Sequence, residues 1–98
     1  MYAVIFRAKT GKQDEQYLET VARMRQLAFD KYGCLDFVAV TEGEQEVAIS
    51  YWNSEADILA WKQDPEHHLA QTEGQKRWYS AYTVQVMKIE REYSFSAD

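Results

Sequence analysis

Residues 35–52 read LDFVAVTEGEQEVAISYW, and the fold turns on them. Leu35 to Thr41 and Val47 to Trp52 are strand-like runs of β-branched, aromatic and small apolar residues. The polar link between them, Glu42-Gly43-Glu44-Gln45, contains a glycine and is of hairpin type, so the runs are expected to pair antiparallel. Just downstream, Ser54-Glu55-Ala56-Asp57 matches a helix start in which a serine hydroxyl accepts from the amide three residues on. That helix is expected to run to about Lys62. Asp64-Pro65-Glu66 is a second start signal, with proline at the first helical position, and predicts a helix to about Arg77. The stretch from Tyr79 to Tyr93 is rich in β-branched and aromatic residues and reads as one long final strand.

Upstream, Tyr2 to Ala8 reads as a strand that stops at the turn-like Lys9-Thr10-Gly11-Lys12. From about Gln13 to Tyr32, Tyr17, Val21, Met24 and Ala28 recur at helical spacing with charged residues between them. Gly33 is placed to end that helix, since glycine enters the left-handed region cheaply. The expected order is β-α-β-β-α-α-β in a single domain, 1–98, without linker or repeat. It describes a ferredoxin-like α+β fold with a four-stranded antiparallel sheet and helices on one face. Several strands carry apolar side chains on both faces. A homodimer with facing sheets, a dimeric α+β barrel, would cover the second face and enclose an apolar pocket in each subunit.

Composition narrows the function classes. The 98 residues carry a formal charge of −5. The basic residues lie scattered among acids, which counts against nucleic acid and anionic membranes as partners. The apolar run at the amino terminus is too short for a secretion signal and no stretch approaches a membrane span, so a cytoplasmic protein is expected. Cys34 is the one cysteine, which excludes an intrachain disulfide. Gly11, Gly33, Gly43 and Gly74 have no phosphate-loop spacing. Asp64, Glu66, His67 and His68 lie close in sequence, but the histidines are adjacent rather than i, i+4 and the acids suit helix-start roles; no metal site is expected.

The second half of the chain contains Ser50-Tyr51-Trp52, Ala60-Trp61-Lys62, Glu66-His67-His68-Leu69-Ala70-Gln71, Gly74, Trp78-Tyr79, Tyr82 and Ile89-Glu90-Arg91-Glu92-Tyr93. This spacing resembles the antibiotic biosynthesis monooxygenase family, whose members are dimeric α+β barrels. The family includes cofactor-independent oxygenases of anthrones and quinols as well as haem-degrading enzymes. In haem-degrading members of iron-salvage type, a Trp, a His and an Asn form the pocket. Trp61 matches that Trp, but a gapless count puts Gln71 at the His and Val4 at the Asn, which disfavours haem.

Oxygen insertion without metal or flavin needs a substrate that becomes electron-rich on deprotonation. The protein must exclude water, orient the ring and supply a proton acceptor. His67 is the candidate catalytic acceptor, as a side chain that titrates near neutrality and matches the family motif. Trp61 is the second catalytic candidate, with an indole N–H that could hold a substrate oxygen. Tyr51, Asn53, Trp78 and Tyr82 are candidate substrate-binding residues, through phenol or amide hydrogen bonds or an aromatic wall. The expectation is a cofactor-independent monooxygenase that joins dioxygen to a small aromatic or quinol-type molecule. The alternatives are a haem-degrading monooxygenase and a non-catalytic ligand-binding or stress-response dimer.

Overall fold

A computed structural model describes residues 1–97. The elements are β1 (Tyr2–Thr10), α1 (Glu15–Tyr32), β2 (Asp36–Glu42), β3 (Gln45–Trp52), α2 (Glu55–Lys62), α3 (Pro65–Glu73), a π-helical turn (Gly74–Trp78) and β4 (Tyr79–Lys88). The strands form one sheet in the order β2-β3-β1-β4, and every neighbouring pair is antiparallel. This is the ferredoxin-like α+β arrangement expected from the sequence. The hairpin is tighter than the polar link suggested, because Glu42 pairs directly with Gln45 across the turn.

Register assigns each strand residue to a face. Val4 lies opposite Ser50 and Val86, and Phe37 opposite Ser50, so these residues point to one side together. That side faces the helices. Val4, Ala28, Cys34, Trp52 and Ile58 form the core there, and Trp52 is completely buried with its indole N–H donating to Ser50 Oγ at 2.8 Å. Burial of a large aromatic side chain contributes about 3 kcal/mol, so Trp52 anchors the sheet beneath α2. Cys34 is part of this core. Burial pushes its thiol pKa up, away from the reactive thiolate.

The opposite face carries Ile5, Val38, Val40, Val47, Ile49 and Tyr51. Val38 is 47% and Val40 62% exposed, so the apolar residues on both faces of these strands are real and one face lacks a cover among the described residues.

Three boundaries differ from expectation. β1 runs through Lys9 to Thr10 instead of stopping at Ala8, because Lys9 still pairs with both Gln45 and Ala81. The last helix ends at Glu73 and passes into the π turn instead of continuing to Arg77. Gly74 sits where Tyr79 comes closest, and a Cβ there would lie 3.1 Å from the Tyr79 ring. β4 stops at Lys88, not Tyr93, because its partner β1 runs out. Lys88 pairs with Tyr2, and the last bond is from Ile89 N–H to Met1 O at 3.0 Å.

Candidate functional site

Between the helix-facing side of the sheet and the helices lies a cavity of about 200 Å³. Its origin is visible in the strand sequences. Ala39 and Ala48 pair across β2 and β3 on the inner face, with Ser50 next along. Small side chains at the middle of the sheet leave a void that the surrounding large ones frame. Val21 and Met24 of α1 line it from above, which is why Val21, on the helix's apolar face, is still 38% exposed.

One end is built by α2 and α3. The Ser54 hydroxyl accepts from Asp57 N–H and starts α2. The buried Asp64 carboxylate accepts from Glu66 N–H at 2.8 Å and from the Tyr32 hydroxyl at 2.5 Å, which ties the start of α3 to the end of α1. The Tyr32 hydrogen bond, followed by the Glu66 amide, holds the Asp64 carboxyl below the usual carboxylate range. Arg23 adds a two-pronged ion pair to Glu66 at 2.7 and 2.9 Å. These contacts set the position of His67, two residues inside the helix.

His67 lies edge-on to Trp61, with ring centroids 4.3 Å apart and planes inclined by 71°. Desolvation brings its pKa down to about 4, and Lys62 acts in the same direction while Asp64 opposes both. The imidazole is therefore uncharged at neutral pH, and it does not titrate near neutrality as expected from the residue type, because burial disfavours the charged ring. Its Nδ1 is buried without a hydrogen bond, a group of the kind that proteins rarely leave unpaired away from functional sites. The Trp61 indole N–H is already committed, since it donates to Met24 O at 3.3 Å. The ring therefore serves as wall, packed against Trp52 and Phe37 at centroid distances of 5.2 and 6.4 Å.

The other end is aromatic around a single carboxylate. Glu46 is on the inner face of β3, opposite Ala8 and Thr41, and lines the cavity. It accepts a short hydrogen bond from the Tyr17 hydroxyl, and the Tyr79 hydroxyl donates to Tyr17 Oη at 3.4 Å. Burial, then the bond to Glu46, pushes the Tyr17 phenol up to about 12, and burial raises that of Tyr79 as well. Both phenols keep their protons and act as donors. Phe6 packs against Tyr79 and Tyr82 at 5.2 and 5.4 Å, and Trp78 against Tyr17 at 5.6 Å. Trp78 is 2% exposed, and its Nε1 has no hydrogen bond of normal geometry.

Among the described residues no group of three His, Cys, Asp or Glu side chains is arranged to hold a metal ion, and no helix is long and apolar enough to cross a membrane.

The sequence model of the family described as antibiotic biosynthesis monooxygenase matches residues 1–73, from β1 through α3. The chain belongs to that family. It is 38% identical over 95 residues to the uncharacterized protein YqjZ of Bacillus subtilis strain 168, across 96% of this chain and 83% of that protein. Among solved structures it is similar to SnoaB from Streptomyces nogalater, described as a cofactor-independent oxygenase. The TM-score is 0.77 at 11% identity, over 93% of this chain and 94% of that one. Rv0793 from Mycobacterium tuberculosis superposes equally well, with a TM-score of 0.77 at 18% identity over 95% and 98% of the two chains. At such identities these likenesses establish the antibiotic biosynthesis monooxygenase fold and leave the chemistry to the site.

Within that family fold, His67, Trp61, Trp78 and Tyr82 come together on the cavity. The Tyr82 hydroxyl also accepts from Gln75 Nε2 at 2.8 Å. Tyr51 and Asn53 do not join them. Tyr51 points to the outer face because it alternates with the inward Ser50 and Trp52, and Asn53 is exposed beyond the end of β3. Gln71 lines the cavity, and so does Val4. The residues that sequence reasoning passed over are Glu46 and Tyr17. Counting back by twos from Trp52 through Ser50 and Ala48 puts Glu46 on the inner face, which was the available signal.

Proposed function

We propose that this protein is a monooxygenase that acts on a small aromatic or quinol-type molecule with dioxygen and without a cofactor. The observation that carries the reading is the predominantly apolar cavity of about 200 Å³ with an uncharged, buried His67 at one end. An engineered apolar cavity of about 150 Å³ holds benzene, so the space here suits one or two rings. It is small for a haem macrocycle, and Gln71, whose amide is a poor iron ligand, lines it. The description of SnoaB as a cofactor-independent oxygenase supports the same reading.

In the proposed reaction the cavity strips water from the substrate, and Trp61 and Trp78 hold its ring. His67, uncharged at neutral pH, accepts a proton from a substrate hydroxyl. The resulting anion is electron-rich enough to donate an electron to dioxygen. Exclusion of water protects that anion from being quenched before oxygen arrives. The unpartnered apolar face, with Val38, Val40 and Ile49, supports a homodimer in which two sheets face each other.

Oxygen uptake with 1,4-naphthohydroquinone and with anthrone tests the activity. Uptake above the uncatalysed rate that falls about 100-fold or more in His67→Ala is the expected result. Uptake unchanged in that variant would remove His67 from the chemistry. Ligand binding with no uptake from any of these substrates would point to a binding protein instead. A haemin titration completes the set, since a stoichiometric Soret shift followed by donor-dependent bleaching would replace the proposal with haem degradation.

A further inference from the structure

We infer that Glu46 is a specificity-determining anchor that selects ligands carrying a hydroxyl group at the end of the cavity remote from His67. The inference rests on the proposed use of the cavity for a small aromatic ligand and adds which aromatic compounds it accepts.

Glu46 and His67 mark opposite ends. His67 packs on Trp61, which lies over Phe37 and Trp52 beside Ser50. Glu46 is four residues from Ser50 on the same strand, which at roughly 3.3 Å per residue is about 13 Å along β3. α3 crosses this distance in the same sense, from His67 to the π turn and then Tyr79.

A carboxylate facing an apolar cavity is costly unless its lone pairs are engaged. One Glu46 oxygen is engaged by the Tyr17 hydroxyl, which is itself backed by Tyr79. The Tyr79 hydroxyl also stands close enough to bear on the carboxylate, but among the described residues Tyr17 makes the one side-chain hydrogen bond to it, and Glu46 lines the cavity. The carboxylate can only accept, and within a wall of aromatic rings the ligand group that fits it is a hydroxyl on a flat ring. A carbonyl or an ether oxygen in that place would be repelled. The site thus distinguishes a hydroxyarene from the corresponding quinone or ether by one hydrogen bond to a charged acceptor, a difference of about ten- to a hundredfold in affinity.

The test uses 2-naphthol, 2-methoxynaphthalene, 1,4-naphthoquinone and the 2-naphthylmethylammonium ion, titrated against tryptophan fluorescence of the full chain. The wild type is expected to bind 2-naphthol at least tenfold more tightly than the ether or the quinone. Glu46→Gln keeps an acceptor for Tyr17 but turns an amide NH2 toward the ligand. It should erase the preference for 2-naphthol and improve quinone binding. A second measurement needs no variant: with 13C-labelled glutamate in the wild type, one side-chain carboxylate resonance should move on adding 2-naphthol and stay still with the ether. Equal affinity for naphthol and ether, an unmoved resonance, or a preference that survives Glu46→Gln overturns the assignment. Tightest binding of the ammonium ion also overturns it, in favour of a cation site. Oxygen uptake is read separately: the naphthol preference without any uptake upholds the anchor while defeating the monooxygenase reading.

Discussion

The His67 imidazole stands edge-on against the Trp61 indole at 4.3 Å, and the indole in turn is held by its N–H on Met24 O. The pair joins α2 to α3 and is fixed from outside by a backbone carbonyl of α1. Its two members have different jobs. Trp61 has used its polar handle on the fold, whereas His67 has not.

The first consequence concerns acid. His67 titrates near 4 in the folded protein against 6.5 in an unfolded chain, chiefly because of burial. As pH falls, the unfolded chain takes up the proton first. The contribution of the neutral ring to stability is therefore complete above about pH 6.5 and drains away toward pH 4, by on the order of 3 kcal/mol. Denaturant unfolding of the wild type and His67→Phe across this window should show a steeper pH dependence in the wild type. Parallel curves would refute the assignment.

Trp61→Phe removes a wall and an indole bond to α1 but no donor to the ligand. Stability should drop by about 1–3 kcal/mol. Catalysis should suffer in KM more than in kcat, because a loosened wall weakens ligand and transition state alike. A loss confined to kcat would mean that the indole N–H reaches the substrate after all.

Asp64 accepts from Tyr32 and from Glu66 N–H at the start of α3, and its pKa is lowered by those bonds. A carboxylate with a lowered pKa stabilises the fold above its unfolded value and loses that contribution as the pH falls through its folded one. Asp64→Ala should lower the melting temperature at neutral pH more than Tyr32→Phe, which leaves the Glu66 amide and the Lys31 ion pair in place. It should also weaken ligand binding, since His67 rides on that first turn. Melting curves and a 2-naphthol titration of both variants decide this.

Much of the architecture could be read before any coordinates. The capping serine, Asp64-Pro65 and Gly33 are local signals whose physics does not depend on the rest of the chain, and each stands where it was expected, while the hairpin pairs as expected around a shorter turn. What escaped was set by distant partners. β4 ends opposite the first residue of β1, and nothing within Ile89 to Tyr93 announces that. Tyr51 and Trp52 are adjacent aromatics on one strand, so alternation says that one faces inward without saying which. Glu46 falls between the polar link, Glu42 to Gln45, and the strand read from Val47. Its pairing with Ala8 extends β3 back through it, and the alternation from Trp52 then puts it on the inner face.

Ala48 sits in the middle of the cavity floor, so Ala48→Phe should fill the space without disturbing the sheet. Stability should change by less than about 1.5 kcal/mol, because the new ring occupies a void instead of a packed region. Binding of 2-naphthol should weaken at least tenfold in a fluorescence titration. Undiminished binding would place the ligand elsewhere.

The uncovered side of the sheet carries its own expectation. Ile49 lies near the centre of that face, between Ile5 and Val38. Ile49→Arg should convert the proposed homodimer to a monomer in sedimentation velocity while leaving the secondary structure intact. A wild type that sediments as a monomer at micromolar concentration would dismiss the dimer outright.

The π turn between Gly74 and Trp78 limits how the cavity can be remodelled over evolutionary time. It carries more residues per turn than the α-helix before it, so the angular relation between His67 upstream and Trp78 downstream is written in chain length. Substitutions can change the lining one residue at a time. A one-residue deletion would instead swing everything beyond it by about 100°, taking Trp78 and Tyr79 off the cavity together. Descendants of this chain that acquire new ligands should therefore differ by replacement along 65–79 and keep its length.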